Sequence, residues 1–239
     1  MMKNVWVILG ATSVIANEFG HLAAKAGHDL ILIGRNTLQL DVIADDLSLR
    51  HDIDCEVITL DLAVDIATLL DRLRTTGQEW SLFIAHSLIL ENSTLTPDNI
   101  DALITTNITS TVQLIHGYLQ KEQTRHQLIF LSSVAACRGR AKNSLYGASK
   151  AAIEVYLQGL QQNASPATTI TIARLGFIDT AQTYGVPGVF YASPPKQCAK
   201  ACWQGVHSGK RLLYHPFFWR FIMGVITRLP FFLYKRMRI

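Results

Sequence analysis

No aspartate or glutamate follows Asp179: residues 180–239 carry nine Lys/Arg and no side-chain carboxylate. Residues 1–179 hold 13 Lys/Arg against 18 Asp/Glu, so a net charge of +4 conceals −5 on one part and +9 on the other. Such an asymmetry predicts a basic end that meets an anionic partner. Charged residues are only 17% of the chain while 49% is hydrophobic, which excludes intrinsic disorder. The four cysteines, Cys55, Cys137, Cys198 and Cys202, lie at neither CxxC nor zinc-ligand spacing, so no metal site is expected. Cys198 and Cys202, one helical turn apart, suit packing. The apolar run at 5–9 is too short for a signal-peptide core, so a cytoplasmic protein folding from about residue 4 is expected.

Strand-length apolar runs at 5–9, 30–33, 56–60, 82–85, 127–131, 169–173 and 211–214 alternate with helical patterns. The helices fall at about 13–26, 37–49, 66–74, 145–162 and 193–207, with a long one opened by Thr96-Pro97-Asp98. That alternation predicts an α/β fold, a single doubly wound parallel sheet covered on both faces. No repeat, linker or low-complexity stretch divides it. One domain accounts for residues 1–215, and 216–239 form a separate basic tail.

The first strand runs into Gly10-Ala11-Thr12-Ser13-Val14-Ile15-Ala16 and then a helix. A helix N-terminus offers free N–H groups and a positive dipole end to a pyrophosphate, and Gly10 can make the tight turn before it. After the second strand comes Gly34-Arg35-Asn36, with no carboxylate until Asp41. A guanidinium there suits a ribose 2′-phosphate, favouring NADP over NAD, unless Arg35 is only a solvated loop residue. Asp61 and Leu62, after the third strand, fall where an adenine amino group finds an acceptor. Asp61 also fits an N-cap of the next helix.

Ser133 precedes Tyr146-Gly147-Ala148-Ser149-Lys150 by thirteen residues. Tyr146 and Lys150, four apart on a helix, share a face. An ammonium there stabilises a phenolate and is expected to draw the tyrosine pKa down from about 10. Ser133, at the carboxyl end of a strand, lies where such sheets hold ligands. The three together make a proton donor, its electrostatic tuner and a hydroxyl for a carbonyl oxygen.

With GATSVIA at 10–16, Asn107 in TTNITST, Ser133 in FLSSVAA, YGASKAA at 146–152 and RLGFIDT at 174–180, the chain resembles a short-chain dehydrogenase/reductase of classical size. The resemblance spans roughly residues 3–215 and implies a Rossmann-like fold. It also implies that Tyr146 is the general acid or base, that Lys150 lowers its pKa and binds the nicotinamide ribose, and that Ser133 holds the reacting oxygen. Asn107 would hold a water that relays protons to Lys150. Gly10, Thr12, Ser13, Val14, Ile15, Arg35, Asp61, Leu62, Ala85 and Tyr146 would contact the cofactor, and Ile178 and Thr180 the nicotinamide carboxamide. A homodimer or homotetramer is implied too. Three departures stand out. Val14 and Ala16 replace the second and third glycines of the turn, so Val14 either turns away or loosens phosphate binding. Ala85-His86-Ser87 replaces the usual Asn-Asn-Ala-Gly, leaving His86 as a cofactor contact or a structural histidine. Leu175-Gly176 stands for Pro-Gly.

The segment after Thr180 holds Tyr184, Val186, Val189, Phe190 and Tyr191 without a charge, and Leu88-Ile89-Leu90 forms an equally apolar opposite lip. Both favour a hydrophobic or lipid-linked carbonyl substrate, although they could simply pack on their own domain. Residues 217–233 contain Arg220, Arg228 and Pro230, too short and interrupted a run for a transmembrane span. On a helical wheel Arg220, Gly224, Thr227 and Arg228 form a narrow stripe. Phe218, Phe221, Ile222, Val225, Ile226 and Leu229 cover much of the rest, with Trp219 on the far flank. This C-terminal amphipathic helical extension, followed by Lys235, Arg236 and Arg238, suits peripheral contact of 216–239 with an anionic membrane. A dimer-forming or core-docking helix is the alternative; nucleic acid is not expected, because no polar basic patch forms. The string WRFIMGVITRLP also resembles bacterial reductases of the decaprenylphosphoryl-ribose 2-keto type. The competing functions are a soluble reductase of fatty or steroid-like ketones, with the tail as oligomer contact, and a non-catalytic nucleotide-binding regulator.

Overall fold

The computed structural model describes residues 4–180 and 191–237. Seven parallel strands form one sheet: β1 (Asn4–Leu9), β2 (Asp29–Gly34), β3 (Cys55–Thr59), β4 (Glu79–Ile84), β5 (His126–Ser133), β6 (Thr168–Leu175) and β7 (Leu212–His215). Their order is β3-β2-β1-β4-β5-β6-β7. The winding direction reverses between β1 and β4, which opens a crevice at their carboxyl ends.

Both faces of the sheet are buried. Trp6, Ile8, Phe83, Ile129 and Ala173 face α1 (Val14–Lys25), α2 (Thr37–His51) and α7 (Pro195–His207). Val7, Leu9, Leu82, Leu128 and Ile172 face α3 (Ile66–Thr75), α5 (Ser110–Gln120) and α6 (Ser144–Gln162). Burial on two sides is why the strands read as unbroken apolar runs instead of alternating ones. Cys198 and Cys202 are buried in the first of these cores as free thiols, and no metal-binding cluster occurs among the described residues.

The long helix after Thr96 is not continuous. Thr96 and Asn99 form a reciprocal cap on α4 (Pro97–Ile104), and a π turn, Thr105–Thr109, separates α4 from α5. The Asn107 side chain is drawn out of the ladder to bond the backbone of Leu88, so the helix widens there. The cap of α3 also differs from expectation. Asp65 accepts from Thr68 N and caps the helix, while Asp61 closes the preceding turn by accepting from Ala63 N at 3.0 Å.

The tail forms two short helices, α8 (Trp219–Ile226) and α9 (Phe231–Met237), parted at Pro230. Trp219, on the far flank of the helical wheel, is docked inward. It is 5% exposed and, with Met223, packs on Val134, Phe177 and Tyr214 of the main domain. A Cβ at Gly176 would fall 1.8 Å from its indole nitrogen, so glycine makes room for the ring. Phe221 and Val225, on the opposite side of α8, are 64% and 63% exposed. No helix among the described residues is long and apolar enough to cross a membrane.

Trp219→Ala should therefore cost about 3 kcal/mol, within the usual range for a buried large-to-small change. That lowers Tm by roughly 6–12 °C for a domain of this size. Phe221→Ala should shift it by no more than a degree or two, about 0.5 kcal/mol. Thermal melts of both variants check which face of α8 is docked.

Candidate active site

β1 ends in Gly10, whose φ of +75° and close neighbours both demand glycine: a Cβ would sit 2.7 Å from His86 N. Gly10 and Ala11 donate to the Ile33 carbonyl, and Ser13 N returns to the Gly10 carbonyl, so the turn is held from both sides. α2, α3 and α4 begin with side-chain caps, whereas Ser13 gives α1 none. The first N–H groups of α1, at Val14, Ile15 and Ala16, thus lack a side-chain acceptor at the place where the crevice opens. Val14 points outward, 50% exposed, and Ala16 is fully buried against the sheet. The alanine methyl is accommodated in the helix–strand contact, while the valine side chain is left exposed at the start of the helix.

Arg35 extends from the end of β2 with its side chain 76% exposed, 3.9 Å from Asp61. So open a pair is worth well under about 1 kcal/mol and leaves the guanidinium available. Thr12 lies near Gly34, Leu62 is buried, and Ala85 N donates to the Leu9 carbonyl, which fixes β4 beside the glycine turn. A glycine cradle, an uncapped helix start and an accessible arginine suit the phosphates of a dinucleotide.

Gly147 decides how α6 meets β5. A Cβ there would lie 2.6 Å from the Ala135 carbonyl oxygen. Its absence lets α6 settle against the 3₁₀ turn Val134–Cys137 that follows Ser133. The side chains of Ser133 and Ser87 reach the Tyr146 hydroxyl. Lys150 is 3% exposed and donates to the Leu131 carbonyl at 2.8 Å, with its Nζ 6.0 Å from the Tyr146 ring centre. Asn107 is 3% exposed; it donates to the Leu88 carbonyl and Ser149 Oγ and accepts from Leu88 N. The structure thus brings Ser133, Tyr146 and Lys150 together, with Asn107 bound to the helix that carries them.

The electrostatics differ from expectation at Tyr146. Its pKa is raised, not lowered: burial disfavours the phenolate and outweighs Ser133, Arg140 and Ser87, which pull the other way. Lys150 carries the larger perturbation. Burial lowers its pKa to about 7, opposed by the carboxylate of Glu154. His86 is buried, with Nε2 3.0 Å from Thr111 Oγ1, and desolvation with the nearby Lys150 lowers its pKa to about 3, which favours the neutral ring.

Ile178 is buried beyond β6 and bridges to Ser193, with Thr180 just past it. Tyr184, Val186, Val189 and Phe190 lie outside the described residues, while Tyr191 sits edge-on to Phe218 of the tail. Sequence reasoning missed Ser87, Arg140 and Glu154 as neighbours of the Tyr–Lys pair. Glu154, one more helical turn beyond Lys150, was the one with a readable spacing.

Residues 4–186 match the family model described as short chain dehydrogenase. An uncharacterized oxidoreductase of Mycobacterium tuberculosis is 27% identical, covering 97% of this chain and 96% of that protein. Among solved structures, a short-chain dehydrogenase from Sphingobium yanoikuyae in complex with NADPH superposes with a TM-score of 0.83. It is 21% identical over 96% of this chain and 97% of its own. A bulky-bulky ketone specific alcohol dehydrogenase from Comamonas testosteroni gives a TM-score of 0.80 at 20% identity, covering 95% and 94%. At these identities the structural likeness speaks to the fold.

Gly147→Ala should push α6 off the Ala135 carbonyl and carry Tyr146 away from Ser133. A displacement near 1 Å is expected to lower turnover about 10²-fold. The clash costs about 1–3 kcal/mol, offset by up to about 1 kcal/mol of helix propensity, so Tm should fall by only a few degrees. Steady-state kinetics beside thermal melts separate the two effects.

Proposed function

The chain belongs to the short-chain dehydrogenase/reductase family and is an oxidoreductase; from that premise we propose that it reduces a ketone on a hydrophobic, lipid-linked substrate, prefers NADP, and works at a membrane surface. The observation that carries the chemistry is Tyr146 reached by Ser133, with Lys150 one helical turn away on the Leu131 carbonyl.

When bound, the reduced nicotinamide supplies hydride to the carbonyl carbon. Ser133 Oγ donates to the carbonyl oxygen and orients it toward Tyr146. The raised pKa keeps Tyr146 protonated near neutrality, so it enters the reaction as a proton donor. As negative charge develops on oxygen, the phenol proton passes to it, and the Lys150 ammonium stabilises the tyrosinate left behind. The Asn107 side chain is committed to Leu88, so a water relay to Lys150 would run over a main-chain carbonyl displaced by the π turn. Ile178 and Thr180 would fix the carboxamide, and with it the ring face that gives hydride.

Cofactor preference rests on Arg35: an exposed guanidinium at the end of β2, with no carboxylate before Asp41 in the chain, suits a 2′-phosphate better than a free ribose. NAD remains a weaker second ligand. The Sphingobium relative's complex with NADPH supports this reading.

Substrate class rests on the tail. α8 packs on Val134 of the turn after Ser133. Next to it, Arg138 donates to the Ile226 carbonyl and lies 3.9 Å over the Tyr234 ring, while the Tyr234 hydroxyl donates to the Gly139 carbonyl. The outer surface of α8 and α9 therefore adjoins the site. It exposes Phe217, Phe221, Val225, Phe231 and Phe232, with Arg220, Arg228, Lys235 and Arg236 among them and no carboxylate. Aromatic side chains interleaved with cations suit an anionic bilayer interface, each cation adding about 1 kcal/mol near the surface.

Tyr146→Phe should lower kcat for ketone reduction by about 10²–10⁴-fold, the usual worth of a positioned acid, with NADPH affinity little changed. Turnover equal to the wild type would remove the proton-donor assignment. The full chain should also co-sediment with phosphatidylserine-containing vesicles and less with neutral ones. Phe221→Ser with Phe231→Ser should abolish this, whereas deleting 216–239 would uncover the Trp219 core and is not a clean control. Failure to bind, with a change in oligomer size in the double variant, would assign the surface to a second copy of the chain.

A further inference from the structure

The face of α6 that carries Tyr146 and Lys150 continues to Glu154, which is 2% exposed. These side chains meet consecutive residues at the end of β5: Tyr146 faces Ser133, Lys150 binds the Leu131 carbonyl, and Glu154 accepts from Ser132 Oγ at 2.5 Å. Arg174 on β6 grips the same carboxylate, through Nε at 2.9 and 3.1 Å and Nη2 at 2.5 Å. Arg174 is held in turn by Tyr214 on β7, whose hydroxyl accepts from Nη1 at 2.5 Å. The Glu154 carboxylate is ion-paired with Arg174, and Lys150, buried four residues earlier on the same face of α6, lies near enough to feel its charge.

We propose that Glu154 is a positioning residue for the reaction, the buried counter-charge that favours the ammonium form of Lys150 against its burial, with Arg174, Ser132 and Tyr214 fixing where that charge sits. The inference rests on the reading that Tyr146 and Lys150 move the proton. The groups facing Lys150 include no other negative charge. Tyr146 and Glu154 come from α6, the Phe130 ring at 4.6 Å and the Leu131 carbonyl from β5, and neutral His86 from beyond β4. Arg174 opposes it from β6 through Glu154.

The sign follows directly. Burial favours the uncharged amine and Glu154 favours the ammonium. Removing the carboxylate moves Lys150 deprotonation to lower pH, and ketone reduction is lost with rising pH on the same limb.

The test is Glu154→Gln in the full chain, with Lys150 observed directly by NMR of [ε-¹³C]lysine protein and its signal identified by its loss in Lys150→Arg. The Lys150 midpoint and the alkaline limb of kcat/KM should both fall by at least about one pH unit. That is roughly a tenfold loss at pH 8 with little change at pH 5, by mass action. Glu154→Asp, which keeps the charge, should restore most of the midpoint, and it serves alone if the glutamine variant does not fold, by showing a smaller shift in the same direction. A midpoint and limb unmoved in the folded variants would overturn the proposal and leave Glu154 as Arg174's partner only. A shifted midpoint with Tyr146→Phe fully active would uphold the positioning role while removing the proton-donor reading.

Discussion

An ammonium ion buried away from water is the constraint around which this site is arranged. Taking a lysine charge into an apolar interior costs several kcal/mol unless compensating groups are built in. Lys150 has three: the Leu131 carbonyl, the face of Phe130, and Glu154 one turn along its own helix. They do not fully offset the cost, so its pKa stays low, about 7. The result is a cation poised near its titration point beside a phenol held protonated by its own burial. Opposite perturbations on neighbouring groups are how one cleft holds a proton donor and the charge that stabilises its conjugate base.

The sheet supplies the rigidity this needs. β5 presents Leu131, Ser132 and Ser133 to α6 in one run, and each is engaged by a different turn of that helix. Gly147 sets the spacing, because any side chain there would meet the Ala135 carbonyl. At the other end of the crevice Gly10 does the same between β1 and β4. Both glycines bring backbone to backbone across the carboxyl ends of the strands, one beside the Tyr146–Lys150 pair and one at the start of α1.

Periodicity made the strands and their order of appearance legible, because a parallel sheet buried on both sides leaves long apolar runs that few other arrangements explain. The Tyr146–Lys150 spacing was legible for a similar reason, since four residues on a helix fix a shared face. What spacing cannot carry is tertiary competition. The π turn arises because Asn107 bonds Leu88, nineteen residues earlier in the chain. The direction of the Tyr146 shift was misjudged because the sequence reveals the cation and hides the desolvation. A helical wheel put Trp219 on the far flank of the apolar arc but could not say which face docks, because it does not see the space above Gly176 that receives the indole.

That docked tryptophan changes the meaning of the tail. A helix free to lie on a bilayer would offer its whole apolar face, but α8 spends Trp219 and Met223 on the domain and keeps Phe221 and Val225 outside. The helix thus has two apolar surfaces. The inner one packs on the turn after Ser133, and the outer one is exposed and bordered by cations in a stretch without a side-chain carboxylate. An acid among these cations would lower the positive charge of the outer face, on which the proposed contact with an anionic surface depends.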